Sequence, residues 1–271
     1  MDELAALRWQ IEIGADEAIA AAPVDRLARR EAPSAVAPVA TSPRPAPARP
    51  PRDARPEPPA ASAPRTVPAA RRAEEAAAAA ATREELRIAL AAFDGCALAA
   101  TATNLVFSDG NPESGLMFVG EGPGAEEDRA GLPFVGPSGK LLDRMLASIG
   151  LDRTRLLITN LIPWRPPGNR NPTDAEVAIC LPFLMRHIVL VRPRRLVLLG
   201  AMATRAVTGS KTGIRSLRGS WRNVAIPGLE NPVPVLPMLH PAYLLRTPGA
   251  KREAWADLIL LRRTLDRDAA G

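Results

Sequence analysis

Four short apolar runs punctuate the chain between residues 115 and 239, and each ends in a turn or a helical stretch. They are GLMFVGEG (115–122), RLLITNLI (155–162), RRLVLLG (194–200) and VPVLPML (233–239). Runs of this length, bounded by turn formers, read as buried strands. Helical patterns lie between them: SGKLLDRMLASIG from Ser138, DAEVAICLPFLMRHIVLV from Asp174 and AMATRAVTG from Ala201. Strands alternating with helices predict an α/β fold, a three-layer α/β/α arrangement around a central, mostly parallel four-stranded sheet. Ligands of such sheets sit beyond the carboxyl ends of the strands, so the loops that follow the four runs are the places to look for chemistry.

Upstream the pattern changes twice. Residues 1–22 carry apolar side chains at helical spacing (Leu4, Leu7, Trp9, Ile11, Ile13, Ile19) and read as a short amphipathic helix, a possible docking element for a protein partner. Residues 23–68 are Pro, Ala and Arg with almost no large apolar side chain. Such a segment buries too little surface to offset its ordering entropy and is expected to be a disordered linker. Residues 69–94 are rich in strong helix formers and predict one helix leading into a compact domain over 95–271.

Charge and cysteine usage narrow the function classes. The chain has 35 Lys+Arg against 29 Asp+Glu, a net charge of +6. That balance suits a polyanion such as DNA, although a solvated, arginine-rich surface gives the same count. Two cysteines, Cys96 and Cys180, make neither a disulfide framework nor a CxxC pair. The start of the chain has acidic residues where a secretory signal has basic ones, and no apolar stretch is long enough to span a membrane. The expected location is the bacterial cytoplasm, at the nucleoid, with no membrane partner.

Four loops carry candidate chemistry. In Gly120-Glu121-Gly122-Pro123-Gly124-Ala125-Glu126-Glu127-Asp128, three glycines let the backbone approach a ligand. A tight strand-to-helix turn or a phosphate cradle explains the same residues, but the Gly-Lys-Ser/Thr ending of a P-loop is missing. In Leu132-Pro133-Phe134-Val135-Gly136, Phe134 is either a core residue or a stacking platform for a planar base. Asn160 ends the second strand, and its carboxamide can read a pyrimidine edge or cap a turn. The segment Pro163-Trp164-Arg165-Pro166-Pro167-Gly168-Asn169-Arg170 follows, and its arginines can pair with phosphates. The last strand leads into His240-Pro241-Ala242-Tyr243-Leu244-Leu245-Arg246. The only other histidine, His187, falls in a helical apolar pattern and reads as structural.

The ordered set GEGPG…ED, LPFVG, TN…RPPGNR and HPAYLLR resembles the uracil-DNA glycosylase superfamily, and within it family 4, over about residues 95–266. The resemblance implies a DNA-repair hydrolase that flips uracil into a pocket and cuts its N-glycosidic bond. It implies catalytic roles for His240, Asn169, Glu121 and Glu127. His240 and the backbone N–H groups of Glu121 and Gly122 stabilise charge on uracil O2, and Asn169 and Glu127 assist in positioning water or base. Glu127 or its neighbours would also occlude a thymine methyl group. Gly122, Gly124, Phe134 and Asn160 are implied to bind the base, with Phe134 stacking and Asn160 reading the edge. Leu244 would wedge into the gap in the duplex, and Arg246, Arg165 and Arg170 would contact DNA. A monomer acting on uracil-containing DNA is implied.

The family typically carries a four-iron, four-sulfur cluster on four cysteines. Cys96 and Cys180 occupy two of those places, and Phe93 and Trp164 occupy the other two, so no metal or other cofactor is expected. A covalent subclass of the superfamily uses a His-bearing loop near RPPGNR, which is absent here. The alternatives are a DNA- or nucleotide-binding protein that keeps the fold without turnover, and a nucleotide-dependent enzyme using GEGPG as a cradle. The latter lacks a matching Lys or acidic partner.

Overall fold

The computed structural model describes residues 68–270. The expected helix over residues 1–22, and all but the last residue of the expected linker over 23–68, lie outside the described residues. Two helices come first, α1 (Ala69–Ala79) and α2 (Arg83–Ala91), followed by the short α3 (Ala97–Thr101). The single helix expected over 69–94 is therefore broken. The cause is a T-x-x-E pattern: Thr82 Oγ1 accepts the Glu85 N–H at 3.1 Å, and Glu85 Oε2 accepts the Ala81 N–H at 2.7 Å. These bonds start a new helix in the middle of an alanine-rich run.

The remaining elements alternate as expected. They are β1 (Ser108–Gly110), β2 (Leu116–Gly120), α4 (Ala125–Ala130), α5 (Pro137–Ala147), β3 (Leu157–Asn160), α6 (Asp174–Val191), β4 (Arg195–Leu199), α7 (Ala201–Thr208), α8 (Ile214–Leu217), β5 (Arg222–Val224), β6 (Val233–Met238), α9 (Pro241–Arg246) and α10 (Lys251–Ala270). The sheet order is β1-β3-β2-β4-β6-β5. Strands β3, β2, β4 and β6 are parallel and correspond to the four apolar runs. The sheet has six strands rather than four because β1 and β5 add antiparallel edges. Each edge is three residues long with no buried residue, too short to leave an apolar alternation in the sequence.

Alternation along the parallel strands sorts the core into two layers. Met117, Val119, Leu157, Leu196, Leu198, Val233 and Val235 face a cluster that includes Ala73, Ala77, Leu86 and Leu90 of the first two helices and Phe183, Leu184 and Ile188 of α6. Leu116, Phe118, Ile158, Val197, Leu199, Leu236 and Met238 face Leu142 and Leu146 of α5 and Leu258 and Leu261 of α10. The period of two thus builds the three-layer sandwich directly. Among the described residues, no helix is long and apolar enough to cross a membrane.

The two leading helices are fastened to the body by polar bonds as well as packing. Arg186 on α6 donates twice to Ala80 O, at 2.8 and 2.6 Å, satisfying a carbonyl at the end of α1. Arg83 donates through Nε to His187 Nε2 at 3.2 Å and through Nη2 to Ser108 Oγ at 2.9 Å. His187 is buried and stacked on Phe107, with centroids 4.6 Å apart. Burial first, and then the Arg83 charge, push its pKa down to about 3. Because an unfolded histidine takes a proton near pH 6.5 and this one does not until about 3, its stabilising contribution is full above 6.5. It is lost as pH falls through that window, at up to about 1.4 kcal/mol per pH unit. His187→Gln keeps an acceptor for Arg83 and cannot titrate. Its urea midpoint should fall less steeply than that of the wild type between pH 7 and 4.5.

Candidate active site

The carboxyl ends of the four parallel strands open into a cleft of about 610 Å³. β2 lies between β3 and β4, so the chain departs in opposite directions from its two sides, and the cleft sits at that switch point. Gly120, Asn160, Leu199 and Met238 end the four strands, and the loop residues that follow supply the walls.

Asn160 lies at the bottom, only 5 % exposed. Its Oδ1 is the one buried side-chain polar atom among the described residues that has no hydrogen-bond partner. Such an orphan typically costs about 1–3 kcal/mol, so its persistence here points to a donor that arrives from outside. Gly120, its neighbour across the β2–β3 pairing, has no room for a side chain. A Cβ there would lie 2.4 Å from Asn160 Oδ1 and 2.5 Å from Phe134 Cζ. The missing methyl group lets carboxamide and ring close around the same point.

Phe134 is buried and holds φ at +57°, a conformation that costs an aromatic residue energy. Three contacts hold it there. Arg153 donates to Phe134 O and, at 3.1 Å, to Pro133 O. The same guanidinium is pinned by Asp109 at 2.7 Å and Asp143 at 3.0 Å. The α5 backbone presses on the same carbonyl at Gly139, where a Cβ would come within 1.8 Å of the oxygen. The Phe134 ring stacks against His240, with centroids 5.6 Å apart and planes 28° from parallel.

His240 caps α9, its Nδ1 accepting the Ala242 N–H at 3.1 Å. An accepting Nδ1 leaves the ring proton on Nε2. Burial first, and then the Arg246 charge, lower its pKa to about 4. At neutral pH it is therefore an uncharged donor. Glu121 turns its carboxylate across the cleft floor, where Oε1 accepts the Met202 N–H at 2.9 Å at the start of α7. Burial raises its pKa, against the pull of that N–H and of Arg246. Gly200, at φ +100°, makes room for it, since a Cβ would meet Glu121 Oε1 at 2.3 Å. Among the described residues, no loop or cap hydrogen bond takes the N–H of Glu121 or Gly122. Glu127 fastens two loops together: Oε2 accepts the Gly124 N–H at 3.0 Å, and Oε1 accepts the Gly136 N–H at 2.8 Å.

Ten of the sequence-expected residues line the cleft: Glu121, Gly122, Gly124, Glu127, Phe134, Asn160, Asn169, Arg170, His240 and Arg246. Asn169 stands at φ +55° and accepts from Arg165 Nε at 2.8 Å, while Arg165 itself stays outside the lining. Arg170 forms a bidentate pair with Glu176, at 2.9 and 2.6 Å. Leu244 does not fit its expected place. It is fully buried against Leu141, Leu239, Ala250 and Ala254, whereas Leu245 is 41 % exposed. Consecutive residues of a helix point about 100° apart, and the inward direction falls on the first leucine. The sequence reading missed Gly200, Arg215 and Tyr243, which also line the cleft. The glycine that ends RRLVLLG was the available signal for the first.

Cys96 and Cys180 lie on the sheet face that packs on α6, in one buried cluster with Phe93 and Trp164. The Phe93 ring meets Phe183 edge-on at 5.2 Å. The two thiols face each other. Hydrogen bonding to Cys180 draws the Cys96 pKa down to about 7, and the same contact, with burial, pushes that of Cys180 up. These are the only cysteines in the chain. Among the described residues, no group of three or more His, Cys, Asp or Glu could hold a metal. Two thiols and two aromatic rings do not make the donor set of a four-iron cluster.

Comparison with known proteins agrees with the geometry. The family model of the uracil DNA glycosylase superfamily matches residues 107–259. The type-4 uracil-DNA glycosylase of Pyrobaculum aerophilum is 38 % identical over 173 residues, 62 % of this chain and 86 % of that protein. Its namesake from Thermotoga maritima is 42 % identical over 155 residues, 56 % of this chain and 77 % of that protein. The one from Archaeoglobus fulgidus is 41 % identical over 166 residues, 60 % of this chain and 82 % of that protein. With a cleft of this construction at the ends of its strands, the chain belongs to the uracil DNA glycosylase superfamily, among relatives of type 4.

Proposed function

We propose that the chain releases uracil from DNA by hydrolysing the N-glycosidic bond, leaving free uracil and an abasic site. The observation that carries this reading is the unpartnered Asn160 Oδ1 close to the Phe134 ring. An imide N–H fits that acceptor. Uracil offers N3–H to Oδ1 and O4 to the amide NH2, while cytosine presents the opposite pattern and leaves both buried groups unpaired.

In the reaction the C1′–N1 bond breaks and uracil leaves with the electron pair as an anion; water oxygen bonds to C1′ and loses a proton to solvent, and the uracil anion takes one up on release. His240, neutral with its proton on Nε2, donates to O2 as charge develops there, together with the N–H groups of Glu121 and Gly122. Asn169, at the cleft wall, helps to position water. Glu127 keeps the Gly124 and Gly136 backbones in register, so it acts on the base through the two loops it joins. Exposed Leu245, rather than buried Leu244, enters the gap left in the duplex. Arg246, exposed at the rim, meets phosphate.

Incubation with oligonucleotides bearing U·G, U·A or single-stranded U, followed by alkali, should give strand cleavage at uracil. An intact strand in every case overturns the assignment. His240→Ala should lower kcat by about 10² to 10³. Removing residues 1–65 should leave uracil release unchanged, because the residues given roles at the cleft lie between Glu121 and Arg246.

The aromatic pair Phe93 and Trp164 takes the place of half of the cluster's ligands, and the protein works without iron. Purified protein should be colourless and contain far less than one iron per chain. A brown sample with about four irons overturns this reading.

A further inference from the structure

The roles proposed above leave one basic side chain on the cleft wall without an assignment. Arg215 sits on α8 and lines the cleft together with Ile214 and Tyr243. Its Nη2 donates to Tyr243 Oη at 3.0 Å, and its Nη1 lies 3.4 Å from Glu253 Oε1. The Arg215 side chain is 61 % exposed, so that ion pair is a surface contact, easily exchanged. Arg218, three residues on, is different. It pairs with the fully buried Asp257 at 2.7 Å and donates to Glu253 O, pinning the α8 segment to α10. One arginine anchors the segment, and the other is presented at the cleft.

The other cations of the rim are unequally available. Arg170 is committed to Glu176 by two short bonds, and Arg165 is bonded to Asn169 outside the lining. Arg246 is exposed and forms no ion pair among the described residues. Extruding a nucleotide into the cleft draws its flanking phosphodiesters to the rim, where guanidinium groups bind them bidentately.

We propose that Arg215, oriented by the Tyr243 hydroxyl, binds a phosphodiester flanking the extruded nucleotide. The Tyr243 bond fixes the plane of the guanidinium before DNA arrives, and the loose Glu253 contact is exchanged for phosphate. This rests on the glycosylase reading, but its test does not need turnover.

Binding of a uracil-free duplex and of a uracil-containing duplex is measured from 50 to 300 mM KCl for wild type, Arg215→Gln, Arg215→Ala and Arg215→Lys. Losing one phosphate contact lowers the slope of log affinity against log salt by about 0.9. The Gln and Ala variants should show that drop, and the Lys variant should keep the wild-type slope. In uracil release, the loss should fall on KM rather than kcat. A wild-type slope in both Arg215→Gln and Arg215→Ala overturns the proposal, whatever the uracil assay gives.

Discussion

A buried acceptor without a donor has to be held against its own tendency to find a partner, and much of the site can be understood as the means of holding it. Asn160 ends a central parallel strand, where the β2–β3 pairing fixes its backbone. Its amide oxygen lies against Gly120, in a space it shares with the Phe134 ring. Phe134 is itself held at an unfavourable φ by Arg153 and by the close approach of Gly139. The strain and the orphaned oxygen are two parts of one arrangement, both held by the surrounding fold.

Electrostatic preparation follows the same logic. His240 is kept uncharged, and its proton is steered to Nε2 because Nδ1 is occupied by the Ala242 N–H. A strand-to-helix turn thus sets the tautomer, and the Pro241 that follows supplies the first residue of the helix it caps. The Glu121 carboxylate is turned onto the α7 amino end, where the helix dipole favours negative charge.

Much of this was legible in the residues. The four apolar runs became the four parallel strands, and the glycine-rich, Phe134, Asn160 and His240 loops met at one end of the sheet because a parallel sheet gathers its strand ends. What escaped was short or directional. Three-residue edge strands carry no period. The break at Thr82 hides inside a run of good helix formers, where one side-chain cap outweighs propensity. Two adjacent leucines look equivalent in HPAYLLR, and only the packing of α9 against Leu141 and Ala254 tells them apart. The unpaired state of Asn160 Oδ1 depends on what is missing around it, which no pattern of residue types records.

The fastening of α1 and α2 has a consequence for how the protein can be divided. The stretch that matches the superfamily runs over 107–259 and omits both helices and the last part of α10. Yet Ala73, Ala77, Leu86 and Leu90 cover one face of the sheet, and Arg83 reaches both His187 and the β1 edge. A fragment cut at residues 107 and 259 would bare an apolar roof and leave a histidine acceptor without its cation. The stretch that the family model matches and the unit that folds are therefore different lengths of the same polypeptide, and shortening the gene safely means following the second.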